Sequence, residues 1–472
     1  MKKIFLILTL VVLGFMTIEA QTVAFTNVNV IPMDTERVLQ NQIVLVKNGV
    51  IAEIGNKVKI PKDAQKIDGK GKYLIPGLVD MHVHLMSDDN KFPDSLAEDE
   101  LKILIANGVT TVRLMIGTPE QLVLRAKSAK GEIIAPTIYA ASPHFTGRKQ
   151  GNDYVVATEQ EARDAVKRAK QDGYDFLKIT TFLKPEVYEA IVDEGAKQNI
   201  RLVGHADSRY IGLDRALKAK QQIEHLDSYL EAIMADNAPM KGSVSDIYLG
   251  NPKNWDSLEY MDEKKIPIVA KKTVEANPFA TPTLSFFKIV VGVGRTDEEI
   301  KAQPDFRFYP IYVTENWLKF NARSRASAQS PERRAKYVDL RNKLTKAIHD
   351  AGGKIMAGSD TPEFLLLYGF SLHREIKALN EAGLSTYAAL EAATKNPADF
   401  FGTLKKTGTI EKGKVADLVL LEANPLENIS NTEKRAGVML KGKYYTQAEM
   451  NKWLDEIAPR FQAVKEETKA AK

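Results

Sequence analysis

The chain has 472 residues, of which 44% are apolar and 27% charged, and its formal net charge is +5. This is an ordinary globular balance with length for a large barrel and an appendage, and its interspersed Lys, Arg, Asp and Glu leave no basic footprint for nucleic acid. The absence of cysteine excludes disulfides, thiolate metal sites and cysteine nucleophiles, so any metal must be held by His, carboxylate or a modified Lys.

Residues 1–20 read MKKIFLILTLVVLGFMTIEA. Lys2 and Lys3 precede an apolar run from Ile4 to Met16, with Ala20 as the small residue before cleavage. The pattern predicts a secretory signal peptide, and the run is shorter than the ~20 residues of a membrane span. An exported protein is expected, periplasmic or extracellular, with no stable membrane span after cleavage.

Residues 21–75 are β-rich. Asn48-Gly49 between two strand-like runs is a strong hairpin signal. The stretch has too little apolar content to stand alone and needs a partner sheet. Residues 403–446 supply one in GTIEKGKVADLVLLEANPL and GVMLKGKYY, short strands with Gly turns. A small β-sandwich built from both chain ends is expected. Residues 447–472 begin with an amphipathic helix carrying Trp453, Leu454, Ile457 and Phe461, and end in a Lys/Glu/Ala tail.

Residues 76–402 alternate short β-like runs with helical patterns. The candidate strands are Leu78–His84, Thr110–Met115, Ile133–Ala141, Phe176–Thr181, Arg201–Ala206, Gln222–Leu226, Ala280–Leu284 and Lys354–Ser359. Helices such as EQEARDAVKRAKQDG and PEVYEAIVDEGAKQN lie between them. The fold class is α/β, a (β/α)8 TIM barrel whose active site lies at the carboxyl ends of the strands. The connections after the sixth and seventh strands are long. They either shape the substrate pocket or pack on the barrel wall.

Residues i and i+2 of a strand face the same side, so His82 and His84 aim two imidazoles at one point. Two neutral imidazoles on a stiff support are half of a transition-metal site. Of the seven histidines, His205 and His225 also end candidate strands. Asp360, in the GSD that closes the eighth strand, and Lys178, in FLKI of the fourth, join them on one rim.

The motifs PGLVDMHVHL, GVTTVR, DFLKI, VGHA, IEHL, TPTL, AGSDTP, HREI and KGKVADLVLLEANPL resemble those of the metal-dependent amidohydrolase superfamily. The likeness is to its branch of imidazolonepropionase-like enzymes and Xaa-Pro and Xaa-Arg/Lys dipeptidases, and it covers residues 22–446. The resemblance implies two divalent metal ions, usually zinc. One would be held by His82, His84 and Asp360, the other by His205 and His225, with a carboxylated Lys178 bridging them. It also implies a bridging hydroxide as nucleophile, with Asp360 as general base and then as acid to the leaving amine.

His144, in SPHFTG after the third strand, could bind an oxyanion or a substrate carboxylate, and Arg148 and Lys149 share its loop. Tyr229, four residues beyond His225, could donate a hydrogen bond to the tetrahedral intermediate. His373 reads as a packing or supporting residue and His349 as structural. One departure is Thr111-Val112-Arg113-Leu114, where the family often has Asp after Arg, so Arg113 is expected to lack its usual neighbour.

The expected function is hydrolysis of amide bonds by an exported dipeptidase or N-acyl-amino-acid hydrolase. The alternatives are a cyclic-amide hydrolase or lactonase, and a non-catalytic binding protein on the same scaffold. The expected partner is a small-molecule or dipeptide substrate, and a homo-oligomer is compatible.

Overall fold

The computed structural model describes residues 22–86, 96–149, 151, 153–239, 252–293 and 296–464. The expected signal peptide, the end of the C-terminal tail and residues 240–251 of the first long connection lie outside the described residues. Among the described residues no helix is long and apolar enough to cross a membrane.

The two chain ends pair into one eight-stranded sheet. Asn48 and Gly49 both take positive φ, 52° and 74°, which matches the twist of the strands they join. A side chain at Gly49 would also meet the backbone carbonyl of Lys441 at 2.8 Å. The flanks are joined where Leu418–Leu421 runs antiparallel to Tyr73–Pro76, with Val419 opposite Ile75. Val23, Phe25, Val44, Val46, Leu418 and Met439 form this sheet's own apolar cluster.

Leu78, two residues past Pro76, begins the barrel. Its strands are β1 (Leu78–Val83), β2 (Val109–Leu114), β3 (Thr137–Thr146), β4 (Phe176–Ile179), β5 (Arg201–Gly204), β6 (Gln222–Ile223), β7 (Phe279–Ala280) and β8 (Lys354–Ile355). Strands β1 to β6 pair in parallel and in chain order, and β7 pairs with β8. Parallel bridges from Glu224 to Thr281 and from Val83 to Thr361 join these two groups. The fold is therefore a TIM-barrel-like α/β fold with a curled parallel sheet.

Four strand expectations are corrected. β3 starts later and runs on through Thr146, because Phe176 and Lys178 of β4 pair with Ala141 and His144. β6, β7 and β8 are cut to two residues each. Their backbones turn left-handed at His225 (φ 61°), Thr283 (φ 48°) and Asp360 (φ 59°), a conformation that ends a strand.

The expected helices form. Glu159–Asp172 starts at a capping box of Thr158 and Glu161 and stops at Gly173, φ 89°. Pro185–Lys197 follows β4. The second long connection carries the helices Leu284–Val290, Ile311–Ser327 and Pro331–Asp350. The last of these buries Tyr337, Leu340, Leu344 and Ile348. The C-terminal helix Gln447–Gln462 buries Leu454, Ile457 and Phe461, and Arg460 clamps Asp99 at 2.6 and 2.7 Å.

Candidate metal centre

Alternation along β1 turns Asp80 and His82 inward, and His84 follows on the same face. Asp80 accepts hydrogen bonds from Ser359 N at 3.0 Å and from its Oγ at 2.6 Å. That contact ties the end of β1 to the segment that delivers Asp360. His82 Nε2 and His84 Nε2 lie 3.3 and 3.4 Å from Asp360 Oδ1, and His225 Nδ1 lies 3.8 Å from Oδ2. The ring of His205 stacks on that of His225 at 4.9 Å. Ligand-type atoms of His82, His225 and Asp360 fall within 4.8 Å of one another.

The protonation states suit a cation. Burial pushes the His225 imidazole down to about 3. Burial, with the charge of Lys178 nearby, holds His82 well below its ordinary value. Burial alone would raise the Asp360 carboxyl, but His225 and His84 beside it bring it down to about 2. Neutral imidazoles and an ionised carboxylate are the forms that bind a divalent ion. Two buried polar atoms in this cluster, Lys178 Nζ and His84 Nδ1, have no hydrogen-bond partner among the described residues, which in a cluster of potential ligands favours a bound group. The donor set therefore fits a divalent cation.

Supporting residues missed in the sequence hold the ligands. His82 Nδ1 lies 2.8 Å from Glu224 Oε2, which leaves Nε2 for the centre. Glu224 is in turn paired with the fully buried Arg113. Arg113 also donates to Met81 O at 2.7 Å and to Gln222 Oε1 at 2.6 Å. Arg113 has no carboxylate at position 114, and its carboxylate partner comes instead from the turn after β6, across the barrel. The available signal was the carboxylate directly before His225 in IEHL. Strict alternation would send Glu224 and His225 to opposite faces, and the left-handed turn at His225 lets both reach the centre. His205 Nδ1 is held by Asp227 at 2.7 Å, His225 Nδ1 by Thr283 Oγ1 at 2.8 Å.

Lys178 pairs in register with His144 on β3 and Val203 on β5, and burial lowers its ammonium to about 8. His144 lies within β3, not in the loop after it. Burial takes it down to about 4, and its Nδ1 is 3.2 Å from Asp153. Tyr229 is buried, and its hydroxyl accepts a hydrogen bond from Thr273 in the helix Ile266–Ala276 on the barrel wall. His373 bonds Asn107 O at 2.9 Å and Thr432 Oγ1 at 3.1 Å, a packing role.

A curled parallel sheet with imidazoles and a carboxylate gathered at the carboxyl ends of its strands defines a barrel enzyme whose rim can hold divalent ions. The amidohydrolase family model matches residues 73–444, and the chain belongs to that family. It is 37% identical to a dihydroorotase of Geobacter metallireducens over 75 residues, spanning only 18% of that protein and 16% of this chain. It is 23% identical to an ochratoxinase of Aspergillus niger over 461 residues, covering 84% of this chain and 81% of that one. The solved structure of a Xaa-Pro dipeptidase with bound methionine superposes with a TM-score of 0.65 at 21% identity, covering 90% of this chain and 100% of that chain. At that identity the likeness speaks for the fold.

Proposed function

We propose that this chain is an exported, metal-dependent hydrolase of amide bonds acting on dipeptides or N-acyl amino acids. The observation that carries this reading is Asp360, one ionised carboxylate within 3.3, 3.4 and 3.8 Å of three imidazoles. His82, His84 and Asp360 would hold one divalent ion, zinc by its preference for imidazole and carboxylate. His205 and His225 would hold a second. Lys178 would join them as a ligand once its neutral amine had added to carbon dioxide, forming an N–C bond and releasing a proton to leave a carbamate. Divalent ions in this position supply polarisation of the substrate carbonyl and acidification of water. Asp360 then accepts the proton of the attacking water and returns it to the departing amine nitrogen. His144, in register with Lys178, is read as meeting the oxyanion or a substrate carboxylate. The terminal sheet, closed over its own apolar cluster, is read as the small β-sandwich expected from both chain ends.

The test is a count of metals per chain together with a hydrolysis screen of dipeptides, N-acyl amino acids, cyclic amides and lactones. About two ions per chain and release of a C-terminal amino acid are expected; ring opening alone would move the substrate to the cyclic class. Asp360→Asn should lower turnover about a thousandfold and still retain metal, and unchanged turnover would remove Asp360 as the base. Export rests on residues 1–20, and N-terminal sequencing of the secreted protein should start near Gln21; an intact Met1 would count against it.

A further inference from the structure

The part of the rim that follows β7 and β8 is aromatic. Phe286, in the helix Leu284–Val290, has its ring 6.2 Å from that of His225. Phe364, four residues beyond Asp360, meets Phe286 edge-on at 5.5 Å. Phe320, from the helix Ile311–Ser327, lies against Phe364 at 4.6 Å. The three rings form a line leading outward from a ligand-type imidazole. Phe286 is buried, whereas Phe364 and Phe320 are half-buried.

The backbone gives a second, independent pointer. Phe364 sits at φ 47°, ψ 47°, and Leu365 follows at φ 71°. A bulky L-residue adopts this left-handed conformation only when its surroundings impose it, and such residues cluster where ligands are held. Across the barrel, β3 and β4 carry His144 and Lys178, and the exposed Arg148 that follows β3 lies over the ring of Phe182 at 5.8 Å.

We infer that the Phe286–Phe364–Phe320 line receives the substrate's side chain, and that the preferred substrate carries an aromatic ring or a similarly large apolar group beside the scissile amide. The inference rests on the amide-hydrolase reading above. Rings pack edge-to-face or offset at spacings that these three already show, so a substrate ring continues the series. A methyl side chain has too little surface to fill the same wall, and a carboxylate laid against Phe286 and Phe364 loses water that apolar rings do not replace.

The experiment uses the metal-loaded full chain and N-acetyl amino acids that differ only in side chain: phenylalanine, cyclohexylalanine, alanine and glutamate. The first two should exceed alanine in kcat/KM by about tenfold or more, with glutamate below alanine. Phe364→Ala should reduce the phenylalanine-to-alanine ratio at least about fivefold. Phe320→Ala should reduce it less, and it carries the test if Phe364→Ala fails to melt cooperatively. Calorimetric affinity for phenylalanine, the released product, should fall in parallel, a readout independent of turnover. Equal kcat/KM for all side chains in the wild type, or a Phe364→Ala variant that slows phenylalanine and alanine substrates alike, would overturn the inference while leaving the amide-hydrolase reading intact. A metal-loaded chain that turns over no amide, open or cyclic, would overturn both.

Discussion

Burial strips His225 of water and, with His205 and Lys178 nearby, refuses it a proton. Its folded value is about 3 against an ordinary 6.5. Between those values the unfolded chain binds a proton that the folded, metal-free chain does not, so stability is complete above the ordinary value and is lost as pH falls. Asp80 and Glu375, both raised to about 7 by burial, act in the opposite sense: their contribution is present at low pH and lost as pH rises. A comparison with His225→Gln separates the imidazole from them. In urea denaturation of metal-stripped protein, the stability of wild type relative to the variant should fall by roughly 2 kcal/mol between about pH 7 and about pH 5. A constant difference would mean that His225 titrates as an exposed histidine does. At this scale His82, His225 and Asp360, which the structure gathers, were legible because each lies in or just past a short apolar run that reads as a strand. Glu224 was not, since its partners His82 and Arg113 lie more than a hundred residues away in sequence.

At the scale of elements, the ends of β6, β7 and β8 depart from strand geometry where chemistry is needed. Thr283, β-branched and at φ 48°, is held there by its surroundings and not by its own preference. Nothing in the local sequence marks these turns, which is why the expected strands ran too far. The long helix Pro331–Asp350 shows what a second long connection does besides packing. Arg341, buried on it, donates to the carbonyl of His225 at 2.6 Å and lies over the ring of Phe287 at 3.3 Å. It thereby fixes the left-handed turn that presents the imidazole. Arg341→Met should lower unfolding free energy by about 2 kcal/mol and speed metal loss to a chelator, checked by melting curves and metal analysis. A less stable protein that keeps its metal at the wild-type rate would reduce Arg341 to a packing residue.

For the whole molecule, the terminal sheet and the barrel share the segment from Tyr73 to Val83. Tyr73–Pro76 pairs with Leu418–Leu421, Gly77 N donates to Asp417 O at 2.7 Å, and β1 begins at the next residue. Removing residues 408–472 would strip that partner strand, leave Val23, Phe25 and Val44 without Leu418 and Met439, and uncover the surface beneath the C-terminal helix. The truncated chain should be recovered insoluble or without metal, as judged by size-exclusion chromatography and metal content. A soluble, metal-loaded barrel would show that the terminal sheet is dispensable to β1.

The alternation of barrel strands and helices, the Asn48-Gly49 hairpin and the HVH pair follow from local periodicity and turn chemistry, which a single chain carries in its own spacing. The tertiary structure decided which side chains complete the centre. Glu224 behind His82, Arg341 behind His225, His144 within β3 and Tyr229 turned to Thr273 all depend on contacts between distant segments. One sequence encodes such contacts only through the fold, because the backbone turns that create them are imposed by packing and not by the residues that adopt them.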